Sequence, residues 1–409
     1  MKKMWWAIAV CMCCLFMSAC GDGQDLILQE EFRTQEYLPD YDVQMQYQPD
    51  TATGICRIGD TYYFSCYPST YFYFYEIEEG TGGKLCAKPE CTHDTKDCNA
   101  YIGDLASPSG YYGGTLQAYD GMLYYIGEAG TLYRMKPDGT EKAPVMKVET
   151  GNGDIRLALH RGYAYVLRRD DQIAGAQTKN ILTIQRYILG DEESKTELFH
   201  QESTGGILSS EWIFHANEMF LLLEDKEGPI ITRNGFYRFD LADGTVETRS
   251  EEENPAWRMR DIKASTDGFV LSSRNEAEGM FRVSKYAYET GEWTEQFQIA
   301  EPEISSMLSI MEDEYMLYKY YYHFEGVDPT YTLLDASGQV VLTGSIPAEK
   351  GEYRVNISDY GWDDHGCLLV MDEMREAEAH EYEQFLKWLW VSPDGEAQFF
   401  FAVPQEDLS

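Results

Sequence analysis

Two interleaved ladders of turn signals run the length of this chain, and they constrain its fold more than any other feature. The first comprises Gly59-Asp60, Asp120-Gly121, Arg161-Gly162, Ala216-Asn217, Asp267-Gly268, Glu312-Asp313 and Asp364-His365-Gly366. The second comprises Gly80-Thr81-Gly82-Gly83, Pro137-Asp138-Gly139, Gly190-Asp191, Asp243-Gly244, Thr290-Gly291, Ser337-Gly338 and Pro393-Asp394-Gly395. The two alternate one for one. Within each, the period is roughly 40 to 60 residues, the range of propeller blades. Asp-Gly and related pairs suit tight hairpins because they tolerate positive φ.

The segments between the turns have strand chemistry. Met122-Leu123-Tyr124-Tyr125-Ile126 follows the first turn of its unit, Leu132-Tyr133-Arg134-Met135 precedes the second, and Val145-Met146-Lys147-Val148 closes it. The same order recurs in Phe220-Leu221-Leu222-Leu223, Phe236-Tyr237-Arg238-Phe239 and Val246-Glu247-Thr248. Four strands per unit and seven units predict an all-β chain, a seven-bladed β-propeller over residues 51–404, with a short tail at 405–409. Six or eight blades remain alternatives. Residues 24–50 precede the first complete unit, and the alternation in 42–48 suits a closing strand or part of an extra blade. One segment, 376–388, has an acidic start and apolar spacing that suit a short helix inserted in the last blade. Residues 170–178, 226–234 and 323–330 read as long loop insertions, the places on a rigid scaffold where recognition concentrates.

The N-terminus supplies an address. Lys2 and Lys3 precede an uncharged stretch, residues 4–16, too short to cross as an ordinary membrane helix, as in secretion signals. Met17-Ser18-Ala19-Cys20-Gly21 then resembles a lipobox, with Met17 where leucine is usual. That resemblance implies cleavage after residue 19, acylation of Cys20 and a tether from residue 20 to 50 at the extracytoplasmic face of the cell membrane. An ordinary signal peptide or an uncleaved anchor are the alternatives. Beyond this segment no apolar run approaches the roughly 20 residues a spanning helix needs. Removing residues 1–19 takes two lysines and no carboxylate from a formal charge of −37, leaving −39. Such a surface repels phosphate backbones, so nucleic acid is not an expected partner. Cations, basic peptides and neutral glycans remain open.

Of ten cysteines, Cys11, Cys13 and Cys14 lie in the signal segment and Cys20 at its end, leaving Cys56, Cys66, Cys86, Cys91, Cys98 and Cys367. An even number outside the cytoplasm suggests disulfides. Yet Cys86, Cys91, His93 and Cys98 form a Cys-x4-Cys-x-His-x4-Cys array within thirteen residues, the donor set of a structural zinc site. Disulfides, zinc and free thiols all remain open, and each is structural. The other histidines are scattered, and no zinc-protease, nucleophile-elbow or phosphate-loop motif occurs. Asp359, Asp363 and Asp364 crowd one turn without the spacing of a dedicated calcium loop. The aromatic runs Tyr71-Phe72-Tyr73-Phe74-Tyr75 and residues 318–324 place successive rings on opposite strand faces, some for the core and some for ligand platforms.

The stretch Tyr119-Asp120-Gly121-Met122-Leu123-Tyr124-Tyr125, continued by Leu132-Tyr133-Arg134-Met135-Lys136-Pro137-Asp138-Gly139-Thr140, resembles the repeats of an uncharacterised bacterial propeller family, domain of unknown function 5050 or TolB-like. Leu85-Cys86-Ala87-Lys88-Pro89-Glu90-Cys91-Thr92-His93, followed by Cys98-Asn99-Ala100-Tyr101, resembles a signature of uncharacterised lipoproteins of gut-type Gram-positive bacteria. The resemblance implies a fold and a location without an activity. The function expected is a membrane-anchored, non-catalytic module that binds a glycan or a protein. Two alternatives stand beside it: a polysaccharide hydrolase or lyase working in the propeller centre, and an envelope scaffold for a membrane complex. One histidine, one tyrosine and two carboxylates converging on the channel would favour the enzyme.

Overall fold

The computed structural model describes Phe32, Thr34 and residues 36–47, 53–103, 113–174, 177–204, 206–227, 230–253, 255–265, 267–302, 306–311, 314–319, 321–323, 328–347, 353–376 and 382–408. The signal segment and Cys20 lie outside the described residues. Seven antiparallel sheets follow one another along the chain, with strands hydrogen-bonded in sequence order. Blades 1 to 7 cover residues 55–84, 117–147, 155–204, 207–253, 258–300, 306–345 and 353–402. The seven-bladed, all-β expectation is therefore met. One short strand breaks the one-blade-at-a-time order: Tyr321–His323 leaves blade 6 and pairs with the innermost strand of blade 7, Tyr353–Asp363. No helix among the described residues is long and apolar enough to cross a membrane.

Both ladders are hairpins. First-ladder turns join the first and second strands of each blade, as in Ile58 opposite Thr61 across Gly59-Asp60 and His160 opposite Tyr163 across Arg161-Gly162. Second-ladder turns join the third and fourth, as in Ile188 opposite Asp191. At Asp120-Gly121 and Arg161-Gly162 both residues have positive φ, 48° and 65° in one and 48° and 85° in the other, the backbone of a tight primed turn.

The helix expected over 376–388 is absent at 376 and over 382–388, while 377–381 lie outside the described residues. Tyr382–Val391 is a strand paired residue for residue with Gly366–Glu376, and Leu386, Trp388 and Leu389 are buried in it. Acidic spacing imitated a helix start, but the sheet offered these side chains two apolar faces at once. The insertions expected at 170–178 and 226–234 are the paired ends of lengthened second hairpins, with Asp171 opposite Asn180 and Glu227 opposite Ile230.

Each blade buries both faces, because a propeller sheet has a neighbour on either side. In blade 1, Tyr62, Phe64 and Tyr73 pack toward blade 7 with Trp388 and Trp390, while Tyr63 and Phe72 pack toward blade 2 with Leu123 and Tyr125. Seven apolar clusters of this kind occupy the seven interfaces. The strands therefore read as near-continuous apolar runs rather than strict alternations. The run Phe72-Tyr73-Phe74-Tyr75 presents no free platform: Phe72, Tyr73 and Tyr75 are buried and Phe74 is half-buried.

Blade 1 draws its four strands from 55–84 and blade 7 its four long strands from 353–402, with 321–323 added at its inner edge, so neither takes a strand from the other and the ring closes by packing and by the bridge of Tyr47 to Gly361. Phe64 meets Trp388 at 4.9 Å between ring centroids and Phe401 at 5.0 Å. The C-terminal turn Gln405–Asp407 reinforces that seam, since the Asp407 carboxylate takes Lys84 at 2.6 Å and the Tyr73 hydroxyl at 2.9 Å.

Candidate functional site

Residues 36–47 cross the face of the ring that carries first-strand turns, where Asp40, Tyr41 and Gln46 accept the backbone N–H groups of Asp120, Arg161 and Trp362. Arg161, lifted by the turn of blade 3, fastens this strap. Its Nε and Nη2 grip both oxygens of Asp42 at 2.6 and 3.0 Å, while Nη1 and Nη2 donate to the carbonyls of Phe32, Thr34 and Glu36 at 2.6–2.8 Å. Both Arg161 and Asp42 are buried, a pairing that resists removal of either partner. Farther along, Gln44 exchanges two hydrogen bonds with the backbone of Arg57, and Tyr47 bridges to Gly361 of blade 7.

Between the strap and blades 4 to 7 lies a cavity of about 840 Å³. Its walls carry Tyr37 and Met45 from the strap, His215 and Tyr288 from blades 4 and 5, and Tyr315 and Trp362 from blades 6 and 7. The His215 ring stacks flat on Tyr288, 3.9 Å between centroids and 14° between planes. Burial lowers the tendency of His215 to protonate below that of an ordinary histidine. The Tyr288 hydroxyl and the Trp362 Nε1 are buried and have no hydrogen-bond partner among the described residues. Lys285 and Asp267 supply an ion pair at 2.8 Å on the same wall.

Two titratable clusters involve the first strands of blades 5 and 7. In the first, Asp363 accepts from the hydroxyls of Tyr47 and Tyr62 and from the backbone of His365, with Arg57 3.5 Å away; Asp364 also takes Arg57. His365 Nδ1 stands 3.4 Å from Asp363 and 3.3 Å from Asp364. A histidine, two tyrosines and two carboxylates thus converge at the seam of blades 7 and 1. The two hydroxyls and the Arg57 guanidinium are spent on the carboxylates, which suits a clamp, whereas His365 Nδ1 has no hydrogen-bond partner among the described residues. In the second cluster, Lys263 lies between Asp261 at 3.5 Å and Asp359 at 3.7 Å, and Tyr318 donates to Asp359 at 2.9 Å. Burial pushes the Asp261 carboxyl up to about 6 against the pull of Lys263, although it accepts the backbone N–H groups of Ile262 and Ile310. This group ties the inner strands of blades 5, 6 and 7 together.

A separate site occupies the connection between blades 1 and 2. Sequence spacing singled out Cys86, Cys91, His93 and Cys98, and the structure brings all four together, with their ligand atoms within 4.8 Å of one another. Burial pushes the Cys86 thiol up, but backbone N–H donors from Lys88 and Asn99 outweigh it and bring the thiol below its ordinary value. Burial moves Cys98 the other way, to about 12, despite the N–H of Ala100. All six cysteines among the described residues are unbridged. The cavity residues had no comparable sequence signal, because Tyr37, His215, Tyr288 and Trp362 come from four distant segments.

No family model matches the chain, and no curated protein matches it. Among solved structures it is similar to a prolyl endopeptidase, at a TM-score of 0.47 and 14% identity, over 92% of this chain and 58% of that one. It is also similar to Porphyromonas gingivalis dipeptidyl peptidase 4, with 0.41 and 10% over 87% and 54%. An oligogalacturonate lyase in complex with manganese gives 0.45 and 11% over 78% and 88%. The chain spans little more than half the length of the two peptidases.

Proposed function

We propose that this chain is a lipid-anchored, extracytoplasmic propeller that binds an oligosaccharide without turning it over, in the cavity beneath residues 36–47. One observation carries the reading: Tyr288 and Trp362 line a cavity of about 840 Å³, and each has a buried donor without a partner among the described residues. That volume is in the usual range for small-molecule sites. The His215–Tyr288 stack is a flat apolar face of the kind sugar rings cover, and a sugar that displaced the side chains covering the two donors would accept from them. The formal charge of −37 disfavours anionic ligands and leaves neutral or cationic glycans. Against catalysis stands the mutual satisfaction of Asp363, Asp364, Tyr47, Tyr62 and Arg57. The anchor rests on Lys2, Lys3, the uncharged stretch 4–16 and Cys20.

The binding reading is tested by a glycan array followed by calorimetry on the best glycan. Trp362→Phe and Tyr288→Phe, which keep the rings and remove the donors, should each weaken binding about tenfold, the worth of roughly 1.4 kcal/mol. Glycan cleavage on prolonged incubation would replace this reading with the hydrolase or lyase. Recovery of one stoichiometric membrane protein with no glycan bound would replace it with the scaffold. For the anchor, labelled fatty acid should enter the wild type and be absent from Cys20→Ala.

A further inference from the structure

The connection between blades 1 and 2 holds three thiols and one imidazole, and that stoichiometry decides what they do together. Pairing any two of Cys86, Cys91 and Cys98 in a disulfide strands the third sulfur and the ring. Cys56, in the same apolar cluster as Cys98, does not join the four-atom group. A tetrahedral metal ion, in contrast, uses all four donors. With sulfur about 2.3 Å and nitrogen about 2.0 Å from zinc, a sulfur-to-nitrogen edge is about 3.5 Å and a sulfur-to-sulfur edge about 3.8 Å. Cys98 Sγ stands 3.5 Å from His93 Nδ1, and the whole group fits within 4.8 Å.

The backbone is arranged for the same purpose. Glu90 and His93 adopt positive φ, 63° and 57°, conformations costly for residues with side chains unless their surroundings impose them. They turn the loop so that His93 faces the sulfurs. Cys98 is buried in the blade 1–blade 2 core, and its neighbours tie that core to the next blade: Asn99 donates to the carbonyl of Gly139 at 2.6 Å, and Lys142 to that of Tyr101 at 2.7 Å.

We propose that Cys86, Cys91, His93 and Cys98 bind one zinc ion in a closed tetrahedral site that staples the blade 1–blade 2 connection to both blades. Three thiolates and one imidazole select zinc over magnesium or calcium, which prefer oxygen donors. Four protein ligands leave no position for a reacting water, so the ion is structural.

The test uses the full chain, purified untagged in detergent. Elemental analysis should find about one zinc per chain after exhaustive dialysis. Cobalt exchanged into the site should show the intense visible bands of a tetrahedral, thiolate-rich ion. Cys98→Ser should abolish retention, whereas His93→Cys, which preserves a four-donor set, and Cys56→Ala, outside the group, should keep it. Chelation should speed hydrogen exchange across residues 85–103 and also in the turn at 137–142, while leaving blades 4 and 5 unchanged. A metal-free chain with a mass lower by two protons and a bridge mapped among Cys86, Cys91 and Cys98 would overturn the proposal. So would three free thiols with no metal, or zinc retained in full by Cys98→Ser.

Discussion

Single residues in this propeller matter where a charge is buried, and the pair Arg161 and Asp42 is the sharpest case. The guanidinium holds Asp42 and three carbonyls of the strap, so Arg161→Met leaves a buried carboxylate without its cation. The expected loss is about 3–5 kcal/mol of unfolding free energy, read from urea midpoints. Proteolysis should then cut within residues 32–47 before any blade. The neighbouring His160 predicts a pH dependence. Its Nε2 donates to the Ala216 carbonyl at 2.6 Å, and burial drives its folded value down to about 4 from 6.5, despite Asp42 nearby. A depressed folded value means the fold binds fewer protons than the unfolded chain. Its contribution is therefore complete above pH 6.5 and is lost as pH falls toward 4, by about 3 kcal/mol in all. Stability measured at pH 7.5 and pH 4.5 should differ less in His160→Gln than in the wild type; an equal difference would remove His160 as the cause.

At the scale of elements, the seam between the ends of the chain depends on a short turn. Asp407 engages Lys84, and Lys84 also donates to the carbonyl of His93 at 2.9 Å and lies 4.1 Å over the Tyr71 ring. The C-terminal turn, the last strand of blade 1 and the cysteine loop are thus linked through one ammonium group. Asp407→Ala should cost about 1–3 kcal/mol, measured by denaturant unfolding, because Lys84 loses its counter-charge and Tyr73 one of its two hydroxyl partners. Gly139 is sensitive for a different reason. It has φ of 74°, and a Cβ there would sit 2.5 Å from the Leu85 carbonyl oxygen. What sequence disclosed at this scale was whatever depends on neighbours along the chain. Turn pairs such as Arg161-Gly162 announce hairpins by local φ, and the cysteine array sits within thirteen residues, so both were visible. Residues 376–388 misled because charge spacing is also local, whereas the partners that made 382–391 a strand are Gly366–Glu376 and the aromatic wall of blade 1. The strap and its cavity were invisible for the same reason: Arg161 meets Asp42, and Trp362 meets residue 46, across more than a hundred residues of chain.

The molecule as a whole is a ring in which every blade is stabilised by both neighbours, and that has a measurable consequence. A linear array of repeats frays from its ends, but a closed ring has no free end until one interface opens. Here the interface between blades 7 and 1 differs from the other six, since the two blades are not consecutive along the chain and closure rests on side chains together with the backbone pairing of Gln46 and Tyr47 with Trp362 and Gly361. Trp388, fully buried against Phe64 and Tyr360, lies at its centre. Shortening it by Trp388→Leu should leave a cavity costing about 3–5 kcal/mol. The loss should appear first as faster hydrogen exchange in both Thr61–Ser65 and Tyr382–Val391, at opposite ends of the sequence, while blades 3, 4 and 5 stay protected in the same mild denaturant. Faster exchange confined to blade 7 would mean that blades unfold singly and that the ring is not the cooperative unit. Equal acceleration everywhere would mean that no seam exists. Opening at the seam would also release Tyr47 and Arg57 from Asp363, so the strap and its cavity should loosen together with closure, and ligand bound beneath the strap should raise the midpoint of the same transition.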